Sequence, residues 1–389
     1  MKKIIICLFL VINASSLYSQ KIEGKIYDDS TKLPIPEVSI YLNGTTYNTK
    51  TDINGKFELV FDNITNTSLI ISRVGYKMIS IPNPYEGIPE KIYLTPQSIL
   101  NEIVVEAPPK SNVKKYSRKE LLKMFKKEFL GETAKSCDIQ NEKDIKLMYD
   151  YDYHQLIAQS ENPIIILNKH LGYRIDYQII NFYIQYSDLP IWLSERPVLY
   201  STNVGAALFT DLSNNNKKTT ERRESVYRET RNFFFKSLIN NTLEESAFKI
   251  LTEGADEYIS PTKIFNIKDT LSLKKVTLLT DSIPDTKVKK RTVAGLLGLL
   301  GESKDELEDI LIASGKKIYG KIIIVNLLQP QKPKESMLAF LNDNFYVDRF
   351  GNYYFVDELG NVQYDNNLLV GGSMGRQKMG TILPLNYEP

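Results

Sequence analysis

The phrase most suggestive of catalysis is Gly371-Gly372-Ser373-Met374-Gly375, which has the G-x-S-x-G form of a nucleophile elbow and follows the apolar run Leu368 to Val370. An α/β-hydrolase needs its acid and its histidine after that serine. The 14 residues beyond Gly375 contain no His, so the phrase reads as a glycine-rich turn. Zinc hydrolysis fails on spacing. His154 is followed three residues later by Ile157, where an H-x-x-E ligand pair requires Glu, and His170 opens the unrelated string H-L-G-Y. With only 2 His, a three-His site cannot form in one chain; both read as ordinary residues of a β-rich region, with a mixed His and carboxylate set left open. Cys137 with either His as base has the residue types of a thiol nucleophile but no local signature. It reads as a partly buried structural thiol.

Asp52-x-Asn54 carries the start of a calcium loop without its remaining carboxylates or its bidentate Glu. Asp305, Glu306, Glu308 and Asp309 crowd the first turns of an expected helix, where the dipole favours negative charge. A glycosidase-type carboxylate pair is not eliminated by counting, since 47 acids are present and their separations are invisible in sequence. The 24 Tyr and Trp192 offer ring faces for sugar stacking, but Tyr also favours strands and cores. No catalytic, cofactor-binding or metal-binding residue is assigned, and no cofactor is expected.

One stretch stands out by charge. Lys110, Lys114, Lys115, Arg118, Lys119, Lys123, Lys126 and Lys127 lie together against Glu120 and Glu128. If this surface makes a contact, the partner is an anionic lipid headgroup or an acidic polysaccharide, with Lys119, Lys123, Lys126 and Lys127 as the contact residues; the alternative is a solvated helix face. Elsewhere charge is balanced. The 49 Lys and Arg against 47 Asp and Glu become even once Lys2 and Lys3 are assigned to a leader, which argues against a nucleic-acid partner.

These residues are carried by a chain long enough for two or three domains, with the 42% hydrophobic and 25% charged composition of a globular protein. Lys2 and Lys3, the apolar run Ile4 to Ile12 and small residues up to Ser19 have the order of a secretory signal, expected over residues 1–19. Cys7 falls in it, so the mature chain holds one thiol and no internal disulfide. The run is too short to span a bilayer, which needs about 20 apolar residues, and no later stretch is longer. Export to the periplasm or the outer-membrane and cell-surface region follows, without a membrane span.

From Lys21 the runs KIEGKIYD, EVSIYLNG, KFELVF, SLIISRVG, KMISI, KIYL and NEIVVEA predict seven strands of an all-β sandwich over residues 20–107. Val38, Ile40 and Leu42 alternate with Ser39 and Tyr41, predicting one buried and one wetter face. Asn54-Gly55 predicts a two-residue hairpin turn. Residues 108–116 form a linker, and Ser117 to Glu120 is a capping box opening a helix whose stripe is Leu121, Leu122, Phe125 and Phe129 and whose stop is Gly131. Beyond it, residues 117–389 read as an α+β module with mainly antiparallel strands. In its longest run, Tyr173 to Tyr186, the apolar parity switches at Ile179 and Ile180, predicting a bulge. Helices are expected over Thr220 to Ile239, from Thr242, and from Ser303 to Gly315.

The sandwich segment, with Pro34-Ile-Pro-Glu-Val-Ser-Ile40, Thr51-Asp-Ile-Asn-Gly-Lys-Phe57 and Ser72-Arg-Val-Gly-Tyr76, resembles the carboxypeptidase regulatory-like domain of Bacteroidota envelope proteins. The resemblance implies a transthyretin-like Greek-key sandwich that binds or spaces and has no active site of its own. Leu100 to Val105 also resembles the strand leading into TonB-dependent receptor plugs, but the 282 residues after 107 are too few for a plug and a 22-stranded barrel. Phe125 to Gly131, Leu171 to Tyr177 and Leu383 to Pro389 resemble an uncharacterised module that follows the same sandwich in related envelope proteins. The expected role is a non-catalytic envelope protein that binds or organises an envelope protein or glycan, with a carboxylate-using, carbohydrate-active hydrolase as the alternative.

Overall fold

The computed structural model describes residues 20–62, 67–97, 115–187, 198–252, 258–270, 273–279, 316–329, 331–343, 353–363, 368–375 and 377–389. The leader, the run from Leu100 to Ala107, the linker up to residue 114, Trp192 and the helix expected from Ser303 lie outside the described residues. Two compact units divide the chain, one reaching residue 99 without 44–46, the other holding 44–46 and the rest.

The first unit is a two-sheet sandwich. One sheet places β1 (Gln20–Asp28) between antiparallel β4 (Lys56–Phe61) and parallel β7 (Lys91–Leu94). The other is antiparallel in the order β3-β2-β5-β6, with β2 Ser39–Leu42, β3 Asn48–Lys50, β5 Leu69–Ser72 and β6 Ile79–Ile81. Strand periodicity makes the core: Phe57, Leu59 and Phe61 turn inward from β4 while Lys56, Glu58 and Val60 turn out, and they meet Ile22, Ile26, Ile40, Leu42 and Ile71. Gly24 is the inward position opposite Phe57, where a Cβ would come within 3.0 Å of the ring.

Six of the predicted runs are strands, and two details differ from the expectation. Asn54-Gly55 does not close a hairpin, because β3 pairs with β2 and β4 with β1, so the segment crosses between sheets. Its turn is built by Asp52, whose Oδ1 accepts from the backbone N–H of Asn54 and Lys56, and only Gly55 takes positive φ. Tyr41 is not on a wetter face. It pairs with Ile70 across the ladder, and the two are 5% and 1% exposed.

The second unit begins with α1 (Arg118–Leu130). Ser117 and Glu120 form the reciprocal capping box, and Gly131 ends the helix at φ 73°. Its Phe125 and Phe129 stack at 4.9 Å and pack edgewise on Phe182 of a six-stranded antiparallel sheet. That sheet contains β8 (Cys137–Ile139), β9 (Ile145–Asp150), β10 (Gln155–Ser160), β11 (Ile164–Asn168), β12 (Tyr173–Tyr186) and β13 (Val198–Asp211). The 14-residue β12 pairs along one edge first with β11 and then with β10, and along the other with β13. The ladder shifts register between Ile179 and Asn181, as the parity switch predicts. Ile180 takes the unpaired, 56% exposed position, and Phe182, Ile184 and Tyr186 return to the core.

The single helix expected over Thr220 to Ile239 is two, α2 (Lys217–Tyr227) and α3 (Arg231–Ile239). Thr230 breaks the run by taking an extended conformation and capping α3. The helix expected from Thr242 is a turn, closed by Ser246 N–H donating to the Thr242 carbonyl and by positive φ at Ala247. A second core follows around Phe234, Phe235 and Leu238 of α3. Its two four-stranded antiparallel sheets are β14 (Phe248–Thr252), β17 (Lys316–Asn326), β18 (Lys334–Asp343) and β21 (Leu368–Gly371), and β15 (Phe265–Asp269), β16 (Lys274–Leu278), β19 (Tyr353–Val356) and β20 (Val362–Gln363). The described residues also include the one-turn helices α4 (Pro261–Ile264) and α5 (Gly372–Gly375). Among the described residues no helix is long and apolar enough to cross a membrane.

Candidate functional site

Three separate pieces of the second unit converge on one cavity. The first is the break between α2 and α3. Thr230 Oγ1 donates to the Tyr227 carbonyl at 2.7 Å and accepts from Phe233 N–H at 3.1 Å, so the reversal sets Tyr227 beside Arg231 and Asn232 at the start of α3. The second is the closing segment. Met379 N–H donates to the Phe129 carbonyl at 2.9 Å, Asn168 Nδ2 to the Gly380 carbonyl at 2.9 Å, and Lys236 pairs with Glu388 at 2.8 Å. These bonds bring Ile382, Leu383, Pro384, Leu385 and Tyr387 to the cavity wall. The third is the glycine turn after β21. A Cβ on Gly372 would meet the Glu335 carbonyl oxygen at 2.5 Å and one on Gly375 the Val370 oxygen at 2.1 Å, so only glycine allows this approach.

The cavity has a volume of about 340 Å³. Leu368, Val370, Met374, Ile382 and Leu383 form its apolar wall, and Tyr227, Thr230, Arg231, Asn232, Gln377 and Tyr387 supply polar groups. Among the described residues no Asp, Glu or His lines it. Tyr227 is 5% exposed, and neither its hydroxyl nor that of Tyr387 has a hydrogen-bond partner among the described residues. The two rings meet edge-on at 5.5 Å. Burial pushes the Tyr227 hydroxyl up to about 12 and raises that of Tyr387, so both are neutral donors at neutral pH.

Ser373 stands next to this cavity and, among the described residues, pairs with another hydroxyl. Its Oγ lies 2.8 Å from Ser336 Oγ, which accepts from Met374 N–H at 3.0 Å, so the hydroxyl pair holds the turn closed. The histidines are far apart. His154 precedes β10, and its carbonyl accepts from Tyr186 at one end of β12; His170 lies in the turn before Tyr173 at the other end. At about 3.3 Å per residue the strand between them is roughly 40 Å long, beyond the reach of a shared metal. Burial and neighbouring Arg222 lower the His170 pKa. Cys137 belongs to the core between α1 and the six-stranded sheet, and burial raises its thiol to about 11, away from the thiolate a nucleophile needs. Among the described residues no group of three His, Cys, Asp or Glu is placed to hold a metal ion.

The basic stretch divides. Lys119, Lys123 and Lys127 follow one another at i, i+4 and i+8 and are exposed, on the side of α1 away from Phe125 and Phe129. Lys126 is half-buried and ion-paired with Glu142, so it belongs to the packing of α1. Arg118 donates to the carbonyls of Ile145 and Glu142.

Sequence reasoning missed Arg223. It is 6% exposed, donates from Nε to the Leu171 carbonyl at 2.7 Å and from Nη2 to Gly172 at 3.1 Å, and grips Asp211 with two bonds of 2.7 and 2.8 Å. Its guanidinium lies 3.8 Å from the Tyr173 ring centroid. With Nε, Nη1 and Nη2 all engaged, the side chain fastens α2 to the β11–β12 turn and the end of β13. Arg223 holds the Asp211 carboxyl well below the usual carboxylate range, with Ser213 contributing.

Residues 22–105 match the family model of the CarboxypepD_reg-like domain, which makes the sandwich of the first unit a carboxypeptidase regulatory-like module. No curated protein matches the chain.

Proposed function

We propose that the protein is an exported, non-catalytic binding protein of the cell envelope, in which a carboxypeptidase regulatory-like module precedes a ligand-binding α+β unit. The observation that carries this reading is the cavity of the second unit. An apolar wall beside neutral hydrogen-bonding groups and one arginine is the make-up of a site that holds a molecule in a fixed orientation. A carboxylate-pair hydrolase requires two acids facing one another across the substrate, about 5–9.5 Å apart, and the described residues of the cavity wall include neither. The leader-like N-terminus and the regulatory-like module support residence in the periplasm or at the outer-membrane surface. Contact with an envelope protein or glycan is the organising role that accompanies it.

Envelope fractionation of the native host, followed by native mass spectrometry of the purified protein, tests the reading. The expected result is recovery in the envelope fraction with a non-covalently bound small molecule that is lost when Val370→Trp fills the cavity. Cytoplasmic recovery would refute the location, and an adduct that survives Val370→Trp would refute the site.

A further inference from the structure

We infer that one end of the first unit's sandwich is a peripheral membrane-contact surface, whose partner is the interface of a zwitterionic phospholipid bilayer. The inference concerns a different unit from the cavity and goes beyond the binding reading above. The most exposed large aliphatic residues among those described are Ile53, Val74 and Leu33, at 77, 73 and 64%. Each sits on a separate turn, and the three turns are tied together at one end of the sandwich. The Leu33 carbonyl accepts from Asp28 N–H at 2.9 Å, and Tyr76, two residues after Val74, donates its hydroxyl to Asp28 Oδ2 at 2.8 Å. A Cβ on Gly55 would lie 3.0 Å from the Pro34 Cβ, so the turn carrying Ile53 packs on the one carrying Leu33. Arg73 donates to the Pro36 carbonyl and joins the third turn to the first. Hydrogen-bonded turns therefore hold these apolar tips out in water.

Size and charge select the occupant. Three tips make a patch of a few hundred Å² at most, well below the roughly 800 Å² per partner of a stable protein interface, which argues against a second copy. A fluid bilayer surface moulds round separate tips, and binding grows with whatever apolar area enters it. Beside the tips, Tyr93 is exposed on β7 with Lys32 Nζ 4.8 Å from its ring centroid, and an amphipathic tyrosine suits the level of lipid headgroups. Charge at this end nearly cancels. Residues 28–56 and 73–77 hold five cations against four acids, and Lys32 is paired with Asp29 and Lys50 with Glu37. Asp28 and Asp52 direct carboxylate oxygens to turn N–H groups. So balanced a surface gains little from anionic lipid and suits a headgroup that carries both charges.

Co-sedimentation of the full chain with phosphatidylcholine vesicles, at low salt and at about 1 M salt, tests this surface. Wild type is expected to pellet at both, because burial of aliphatic tips is not screened as charge is. The combined change Leu33→Ser, Ile53→Ser and Val74→Ser should weaken association about tenfold or more, with the melting temperature unchanged because none of the three is buried. Val60→Ser alters an exposed aliphatic residue at the other end of β4 and should change nothing. Failure of wild type to pellet, or equal pelleting of wild type and the triple variant, overturns the assignment. Pelleting that high salt abolishes gives the contact to charged groups and overturns it as well. Sedimentation velocity without lipid checks the rival occupant. Monomers in both proteins are expected, whereas a dimer that the triple variant dissociates gives the tips to a second copy and overturns the lipid partner.

Discussion

Replacing Arg223 with Ala should be among the more destabilising single changes in the second unit. The substitution strands the carbonyls of Leu171 and Gly172, removes a bidentate partner from Asp211, and uncovers the Tyr173 ring. Breaking a buried charged pair costs about 3–5 kcal/mol, but the Asp211 side chain is 48% exposed and can be rehydrated, which moves the expectation to the low end, about 3 kcal/mol. Asp211→Asn leaves the arginine its carbonyls and one amide oxygen and should cost only about 1 kcal/mol. Equilibrium urea unfolding followed by far-UV circular dichroism measures both. The linkage has a definite sign. Because the folded carboxyl of Asp211 titrates below its unfolded value of about 3.9, its stabilisation is complete above that pH and is lost as pH falls through the folded value. The gap between wild type and Asp211→Asn should therefore narrow on acidification from pH 6 to pH 3. An Arg223→Ala loss under about 1 kcal/mol, or a gap that widens in acid, would refute the clamp.

Cys137 should resist thiol reagents at pH 8 in the native protein and react on unfolding, since burial raises its pKa to about 11; rapid native labelling would contradict its place in the core. Gly375→Ala should lower the melting temperature more than Ser373→Ala, because the new Cβ would sit 2.1 Å from the Val370 oxygen whereas the serine loses one hydrogen bond of about 1 kcal/mol. Any esterase activity should survive Ser373→Ala. For the basic face of α1, replacing Lys119, Lys123, Lys126 and Lys127 with Gln should reduce co-sedimentation with anionic vesicles at low salt, each exposed lysine being worth about 1 kcal/mol at most. Equal pelleting of both proteins at low and high salt would leave that face as a plain solvated surface. Lys126→Gln alone should act on stability instead, through Glu142.

What was legible in the sequence is what periodicity and local capping decide. The strand KFELVF, the parity switch at Ile179 and the box of Ser117 with Glu120 each appear in place, because each depends on neighbours within a few residues. Asn54-Gly55 was misread for a related reason. Turn chemistry dictates that the chain reverses, not which sheet the next strand joins. The break at Thr230 was hidden because α2 and α3 share an apolar pattern and no Gly or Pro separates them. Arg223 was invisible because two of its acceptors are backbone carbonyls near residue 172, whose identity leaves no mark on the sequence. The cavity had no signal, since Tyr227, Val370 and Leu383 meet only in three dimensions.

The closing segment gives this unit an unusual order of completion. Met379 and Leu383 are part of the core built on α1 and β12, and the bonds from Met379 and Gly380 reach back to Phe129 and Leu130 across about 250 residues. During synthesis, the helix and six-stranded sheet can pair as soon as residue 211 has emerged, yet one side of their shared interior stays wet until residues 379–383 arrive. Such long-range closure slows folding and prolongs exposure of apolar surface to other chains.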